Sequence, residues 1–432
     1  MDLRNRGRGR FDIYQGACTA FPATIRRMNT IRPETHTGGS WSHPVWSLGF
    51  RPFFLLAALT AVVWIPLWAV IYSGAWAPPI AYPAPLWHGH EMVFGFTAAV
   101  IAGFLLTAVP NWTGAPGRKG GALVCLAAIW LAGRVVMLLS GWLPAWLVAA
   151  VDVAFFPALV WAIRPAIVEK GNRRNFLFPR LLMVFAGVDL LIHLGVMQIV
   201  PRGDEIGLKL AVDLVIVLMV VVGGRVIPGF TANAVGSPSR QPNWTDRWAL
   251  YTMLAVVALE VVPSSAMSGA FGMAQGVAAL AAATVSGWRM RGWQSLQTLR
   301  QPITWVLHLG YAWVVIGLLL KSMALLSDLV RWQDAIHGLT AGAIGTFTLG
   351  MMSRVALGHT GRPLRAGPAI AAAYLMISIA TVLRLLTPVC LPPQAIVGAT
   401  DLASTLWACA FLIYLIIYAP MLMRARVDSR PG

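Results

Sequence analysis

The chain has 432 residues, 58% of them hydrophobic and only 11% charged, with a formal net charge of +17. A soluble domain carries about a quarter charged residues, so these few charges could not cover a water-exposed surface. Lipid is the remaining solvent, and the composition therefore predicts an all-α membrane protein. The basic residues fall in short loops between apolar segments, which points to membrane orientation and excludes nucleic acid as the expected partner.

The N-terminal arm, residues 1–46, is rich in arginine and lacks an apolar core. It is therefore not a cleavable signal peptide. We interpret it as a disordered cytoplasmic arm, part of which is an extension if Met28 is the true start. Residues 426–432 are predicted to form a cytoplasmic tail.

A helix needs about 20 apolar residues to cross a bilayer, and the chain holds about twelve such segments. They run over 48–73, 86–110, 121–140, 143–164, 178–200, 205–228, 246–264, 269–289, 303–325, 331–353, 366–387 and 395–423. Together they predict one transmembrane domain over residues 47–425. The four cysteines have no C-x-x-C spacing, which removes a disulfide framework, a thiolate zinc site and covalently attached haem as first interpretations.

The loops alternate in charge. Those after the even-numbered helices carry Lys and Arg, whereas the opposite loops are nearly bare, with no Lys or Arg in 74–85, 141–142, 265–268 and 388–394. By the positive-inside rule, both termini are predicted to be cytoplasmic.

An internal repeat marks the ends of the second, sixth and tenth predicted helices. The segments read GFLLTAVPNWTG (103–114), GGRVIPGFTANAVG (223–236) and GMMSRVALGHTGRP (350–363). They predict three four-helix units, about 47–170, 171–292 and 293–425, around a pseudo-threefold axis. The alternative is that membrane helices resemble one another by composition alone.

Ionisable residues within the membrane gather toward the predicted outer half. Each costs about 2.5–3.5 kcal/mol at the bilayer centre, so each is a functional candidate. The outer set is His88, His90, Glu91, Arg134, Asp152, Asp189, His193, Lys209, Asp213, Glu260, Asp334, His337, Arg384 and Asp401. The inner set is Arg225, His308, Arg354 and His359.

Three pairs in the outer set share a helical face: Asp189 with His193, Lys209 with Asp213, and Asp334 with His337. A carboxylate beside an imidazole is the usual support of a ligating histidine. The alternative is that each pair only neutralises a buried charge.

Four histidines at one depth, His88, His90, His193 and His337, favour a metal or haem site. Two imidazoles could ligate a haem iron, with Arg134 and Arg384 on its propionates. Copper also accepts imidazole and thioether ligands. At the inner rim, Arg354 and the GHTGRP turn with His359 could bind an anion or begin a proton path, and we favour a headgroup anchor.

Three long motifs resemble the NnrS family: GFRPFFLL (49–56), WHGHEMVFGF (87–96) and HGLTAGAIGTFTLGMMSRVALGHTGRP (337–363). The resemblance implies a twelve-helix inner-membrane protein of bacteria that carries haem and copper and serves the nitric oxide response. Of the histidines, His88, His90 and His337 lie within these motifs.

The layout is also similar to the catalytic subunit of haem–copper oxidases, with histidines on helices 2 and 10. That family draws copper ligands from its sixth and seventh helices, and here neither 205–228 nor 246–264 contains a histidine. The comparison therefore favours a remodelled haem site over an oxygen-reducing centre.

The leading hypothesis is a non-covalent b-type haem with His90 and His337 as axial ligands. His88 and His193 would complete a copper site, or one of them would replace an axial ligand. If the protein is an enzyme, it is expected to be a haem-dependent oxidoreductase acting on nitric oxide, protecting against nitrosative stress or supporting denitrification. The alternatives are a transporter of protons, metal or small anions, and a haem or copper delivery factor.

Overall fold

The computed structural model describes residues 41–168, 173–238, 241–261, 269–327 and 329–428. Most of the predicted N-terminal arm, the junction at 170–171 between the first two predicted units, the predicted end of the seventh helix at 264 and the last four residues lie outside these ranges. Within them the chain forms helices and short turns, without a β-strand. The prediction of an all-α protein is confirmed.

Twelve long helices follow one another through the described ranges. They are α1 (Phe50–Tyr72), α2 (Ala84–Thr113), α3 (Gly121–Leu138), α4 (Ala145–Val168), α5 (Leu177–Val196), α6 (Gly203–Val235), α7 (Trp244–Glu260), α8 (Ala270–Arg291), α9 (Pro302–Leu326), α10 (Trp332–His359), α11 (Pro368–Cys390) and α12 (Pro393–Met423).

Eleven of these helices are long and apolar enough to cross a bilayer, and α7, with 17 residues, is slightly shorter. Helices α2, α6 and α10 extend beyond their predicted ends. Polar residues in their last turns lower the local hydropathy, so the hydropathy pattern places these ends too early. Their last turns meet glycines with positive φ, Gly114, Gly236 and Gly361, a backbone conformation that ends helices with little strain.

The packing repeats three times along the chain. The first helix of each predicted unit packs on the last helix of the unit before it: α1 on α12, α5 on α4 and α9 on α8. The second helices, α2, α6 and α10, contact one another. In their most apolar stretches 89%, 78% and 78% of residues are buried, against 33–61% in the other membrane helices. This arrangement supports three units around a central trio, and the exact unit boundaries stay a prediction.

Two of the three central helices contain a π-helical segment in equivalent places. Glu91–Thr97 directly follows His90, and Gly338–Ile344 directly follows His337. Such segments shift the helical register by one residue and are frequent at functional sites. We call the end of the bundle that holds the loops after the odd-numbered helices the odd-loop face, and both π segments lie in the half nearest it.

Candidate metal centre

Four buried side chains from three helices meet near the odd-loop face. They are His90 on α2, Asp152 on α4, and Asp189 and His193 on α5. One ligand atom from each residue lies within 4.8 Å of all the others. None of the four side chains is more than 1% exposed. We call this group the His–Asp cluster.

Both histidines of the cluster face the same two carboxylate oxygens. His90 Nε2 lies 2.9 Å from Asp189 Oδ1 and 3.1 Å from Asp152 Oδ2. His193 Nε2 lies 3.3 Å from the same Asp152 oxygen and 3.5 Å from the same Asp189 oxygen. Two imidazole nitrogens and two carboxylate oxygens therefore converge on one point, which is the donor arrangement of a mononuclear metal site.

Local irregularities bring these side chains together. On α4, the regular helix is interrupted at Ala154 because Pro157 has no N–H to complete the ladder, and Asp152 lies just before this break. Gly133 on α3 allows the close approach, since a Cβ there would lie 2.6 Å from Asp152 Oδ1.

The second nitrogen of each imidazole has its own partner. His193 Nδ1 lies 2.6 Å from Tyr82 Oη, and His90 Nδ1 lies 3.4 Å from Glu91 Oε1. When Nε2 binds a metal, Nδ1–H donates to these oxygens, which fixes the ring orientation. Burial, with the charges of Asp152 and Asp189, raises the pKa of Tyr82, so its side chain stays a neutral phenol.

An ion network lies beside the cluster, on the side that faces α3. The Arg134 guanidinium donates to Glu91 Oε1 at 2.6 Å and to Asp152 Oδ1. Trp64 Nε1 donates to the other Glu91 oxygen at 2.8 Å. The structure therefore places Arg134 in an ion pair that orients Asp152, whereas the sequence suggested a propionate partner.

The balance of charge and hydrogen bonds favours a bound cation. With both imidazoles neutral, as metal ligation requires, Asp152, Asp189 and Glu91 are opposed by the single guanidinium of Arg134, which leaves two negative charges in excess. Asp152 Oδ2 and His193 Nε2 are buried, and although they lie 3.3 Å apart, neither atom forms a hydrogen bond in the described part of the chain. A divalent ion at the point of convergence would satisfy both atoms and neutralise the excess.

His88 and His337 belong to a second group, which does not include His90. His88 stacks on Trp68 with ring centroids 4.4 Å apart, and it lies within electrostatic range of His337 and Arg384. His337 Nδ1 donates to Gln333 O at 2.6 Å. The contacts of His90 lie in the His–Asp cluster and those of His337 in the second group, so the suggested axial pairing of the two stays a prediction.

In that second group, the carboxylate of Asp334 forms ion pairs with two arginines. Arg384 Nη1 donates to Asp334 Oδ1 at 3.2 Å, and Arg331 Nε donates to Asp334 Oδ2 at 2.7 Å. The i,i+3 pairing of Asp334 with His337 is therefore not the main contact of this carboxylate.

The remaining predicted residues also have protein partners. Lys209 donates to Glu205 at 2.8 Å, and Asp213 accepts from Lys321, a residue that the sequence did not single out. Arg354 lies over the ring of Phe230, 3.8 Å from its centroid. His359 packs its ring on Phe50 at 5.6 Å.

Asp152, Glu91 and Tyr82 complete the site, although none of them was assigned to the predicted cofactor site. Glu91 and Asp152 were functional candidates only as intramembrane charges. Glu91 directly follows His90, whereas no histidine lies at helical spacing from Asp152 on its own helix. Tyr82 lies in the loop between α1 and α2, where no pattern marks it.

No curated protein matches the chain. The family model described as NnrS protein matches residues 44–426, a range that includes all twelve helices and both histidine groups. The chain therefore belongs to the NnrS family.

Proposed function

We propose that this protein is a membrane metalloprotein that holds one divalent metal ion with His90, Asp152, Asp189 and His193, and that the metal serves nitric oxide metabolism. The convergence of four donor atoms within 4.8 Å in a fully buried pocket carries the proposal. With both imidazoles neutral, the site has two negative charges in excess, which would be costly at this depth without a cation.

The donor set limits the choice of metal. Two imidazoles and two carboxylates suit iron(II), manganese(II), zinc and copper(II), whereas copper(I) prefers sulfur ligands. The family resemblance implies a redox role with nitric oxide. Among these ions, iron and copper are the ones that supply redox chemistry with a diatomic ligand, and we expect one of them here.

The His–Asp cluster does not suit haem. The His90 and His193 rings lie 5.6 Å apart, and the carboxylates of Asp152 and Asp189 occupy the space that a porphyrin would need between them. If the protein also binds haem, the neighbourhood of His88 and His337, with Arg384 beside them, is the better place. The oxidase-like layout likewise stays a prediction.

Metal content tests the proposal directly. The purified wild-type protein is expected to retain about one equivalent of metal by mass spectrometry, and His90→Ala and His193→Ala are each expected to lose most of it. His308→Ala is the matched control, because this buried histidine is held by Thr231 and Ser295 away from the cluster. Equal metal content in all four proteins would refute the metal site.

Spectroscopy separates the metal site from the haem hypothesis. Optical spectra before and after reduction detect haem, and electron paramagnetic resonance with nitric oxide detects an open iron or copper position. We expect His193→Ala to remove the nitric oxide signal of the non-haem metal. Loss of a Soret band in His88→Ala but not in His193→Ala would place haem at the second group.

The burial of the metal ligands favours this function over a metal transporter or a delivery factor. Ligands no more than 1% exposed favour a retained cofactor, whereas a delivery factor or a metal transporter must release its ion. Exchange of the bound metal for an added isotope over hours rather than seconds would support the retained cofactor. We further propose that the protein lies in the bacterial inner membrane with both termini in the cytoplasm.

A further inference from the structure

A second buried ionic group lies between α6, α7 and α9. Lys321 Nζ donates to Asp213 Oδ2 at 2.6 Å and to Glu260 Oε2 at 2.8 Å. The three side chains are 2%, 0% and 2% exposed. We call this group the lysine triad. It lies at the boundary between the second and third predicted units, as the His–Asp cluster lies at the boundary between the first and second.

The lysine triad has one carboxylate more than it has cations. Asp213 Oδ1 is buried and accepts no hydrogen bond within the described part of the chain. The Asp213 and Glu260 carboxylates are also neighbours, because both accept from the same Lys321 Nζ, at 2.6 and 2.8 Å. Two carboxylates so close cannot both stay ionised at low cost, and sharing one proton relieves both the repulsion and the unpartnered oxygen.

We propose that the lysine triad binds one exchangeable proton, shared between Asp213 and Glu260, inside the membrane. The ligand is a proton rather than a metal ion because the Lys321 ammonium already occupies the centre between the carboxylates. The site is separate from the metal centre and shares no residue with it.

A line of polar groups connects the triad to the odd-loop face. Glu205, Lys209 and Asp213 follow one another at i,i+4 on one face of α6. Glu205 is 32% exposed at the side chain and bonds to Lys209 at 2.8 Å. Lys209 and Lys321 both lie over the ring of Trp332, at 4.9 and 5.2 Å from its centroid.

In the other direction the path is closed along α6. Residues 214–222 are Leu, Val, Ile and Met only, and nearly all are buried. The largest charge effects on Asp213 and Lys321 come from the triad itself. From α8, the neutral amide of Gln275 donates to the carbonyl of Leu259 beside Glu260. The proton is therefore expected to exchange with one side of the membrane only.

Infrared difference spectroscopy of the full-length protein in lipid nanodiscs tests the proposal. At neutral pH we expect a C=O band from one protonated buried carboxyl that disappears in Asp213→Asn and in Glu260→Gln, because each leaves a neutral lysine–carboxylate pair. Lys321→Gln should instead double the band, because two buried carboxylates then lack a cation. If one of Asp213→Asn and Glu260→Gln does not fold, the other variant alone tests the proposal.

Glu205→Gln is the control, since it should keep the band and only slow its shift in D2O. An unchanged carboxyl band in both Asp213→Asn and Glu260→Gln would overturn the proposal. Metal content in these variants should equal that of the wild type, so failure of this proposal is distinguishable from failure of the proposed metal site.

Discussion

His90 and His193 reach the same two carboxylate oxygens from different helices, with their ring centroids 5.6 Å apart and their planes at 64°. This angle lets both Nε2 atoms face one point while each Nδ1 contacts its own partner, Glu91 or Tyr82. A metal at that point would link α2, α4 and α5, so its loss should affect both the stability and the chemistry of the protein.

Removing the metal should lower the unfolding temperature. A ligand at a hundred times its Kd stabilises the folded state by about 2.7 kcal/mol. We expect chelation to lower the midpoint of thermal unfolding, followed by tryptophan fluorescence, and metal to restore it. A chelator that lowers the midpoint equally in His193→Ala would contradict this expectation.

Tyr82→Phe should weaken metal binding without removing a ligand. The substitution deletes the oxygen 2.6 Å from His193 Nδ1 and leaves the ring in place. Loss of such an outer partner typically costs about 10–100-fold in metal affinity. Competition with a metallochromic chelator measures the change. Tyr72→Phe, in the exposed end of α1, should have no effect, and an unchanged affinity in Tyr82→Phe would show that Tyr82 does not orient His193.

The sequence identified several site residues but could not predict which of them meet. His90 and His193 were selected because a histidine inside a membrane helix is expensive to bury. His90 and His337 stand equally far before Thr113 and Thr360 and precede equivalent π segments. That symmetry suggests a pair, yet residues related by a threefold repeat are separated around its axis and face different neighbours.

Asp152 shows the other limit of sequence reasoning. Its contacts with Arg134 and His90 join three helices, and their geometry depends on the helix break at Ala154 and on packing against Gly133. Neither feature has a periodic pattern along the chain. The helices themselves were predictable because each satisfies the length and apolarity that a bilayer imposes.

Arg134→Gln should be strongly destabilising. It leaves Glu91 and Asp152 without their guanidinium partner at about 1% exposure, and breaking a buried ion network in this way costs about 3–5 kcal/mol. The expected result is a large fall in the thermal midpoint and a loss of bound metal.

Arg331→Gln is the control, because that side chain is 64% exposed and its ion pair should contribute no more than about 1 kcal/mol. Similar midpoints for the two variants would count against the network.

Gly133→Ala should damage the metal centre through Asp152 alone. The added methyl group would lie 2.6 Å from Asp152 Oδ1 and 3.5 Å from its Cα, so the carboxylate must move away from Arg134 and from the point where the four donors converge. Gly187→Ala on α5 is the matched control, since outside the neighbouring backbone of α5 no atom lies within 4 Å of its added methyl group. Alanine is also the better helix former by about 1 kcal/mol, so Gly187→Ala should fold at least as well as the wild type and bind metal normally.

Gly133→Ala should fold but bind metal more weakly in the same competition assay. Equal affinities in the two alanine variants would mean that the position of Asp152 is not critical, and the metal would then depend on His90, Asp189 and His193.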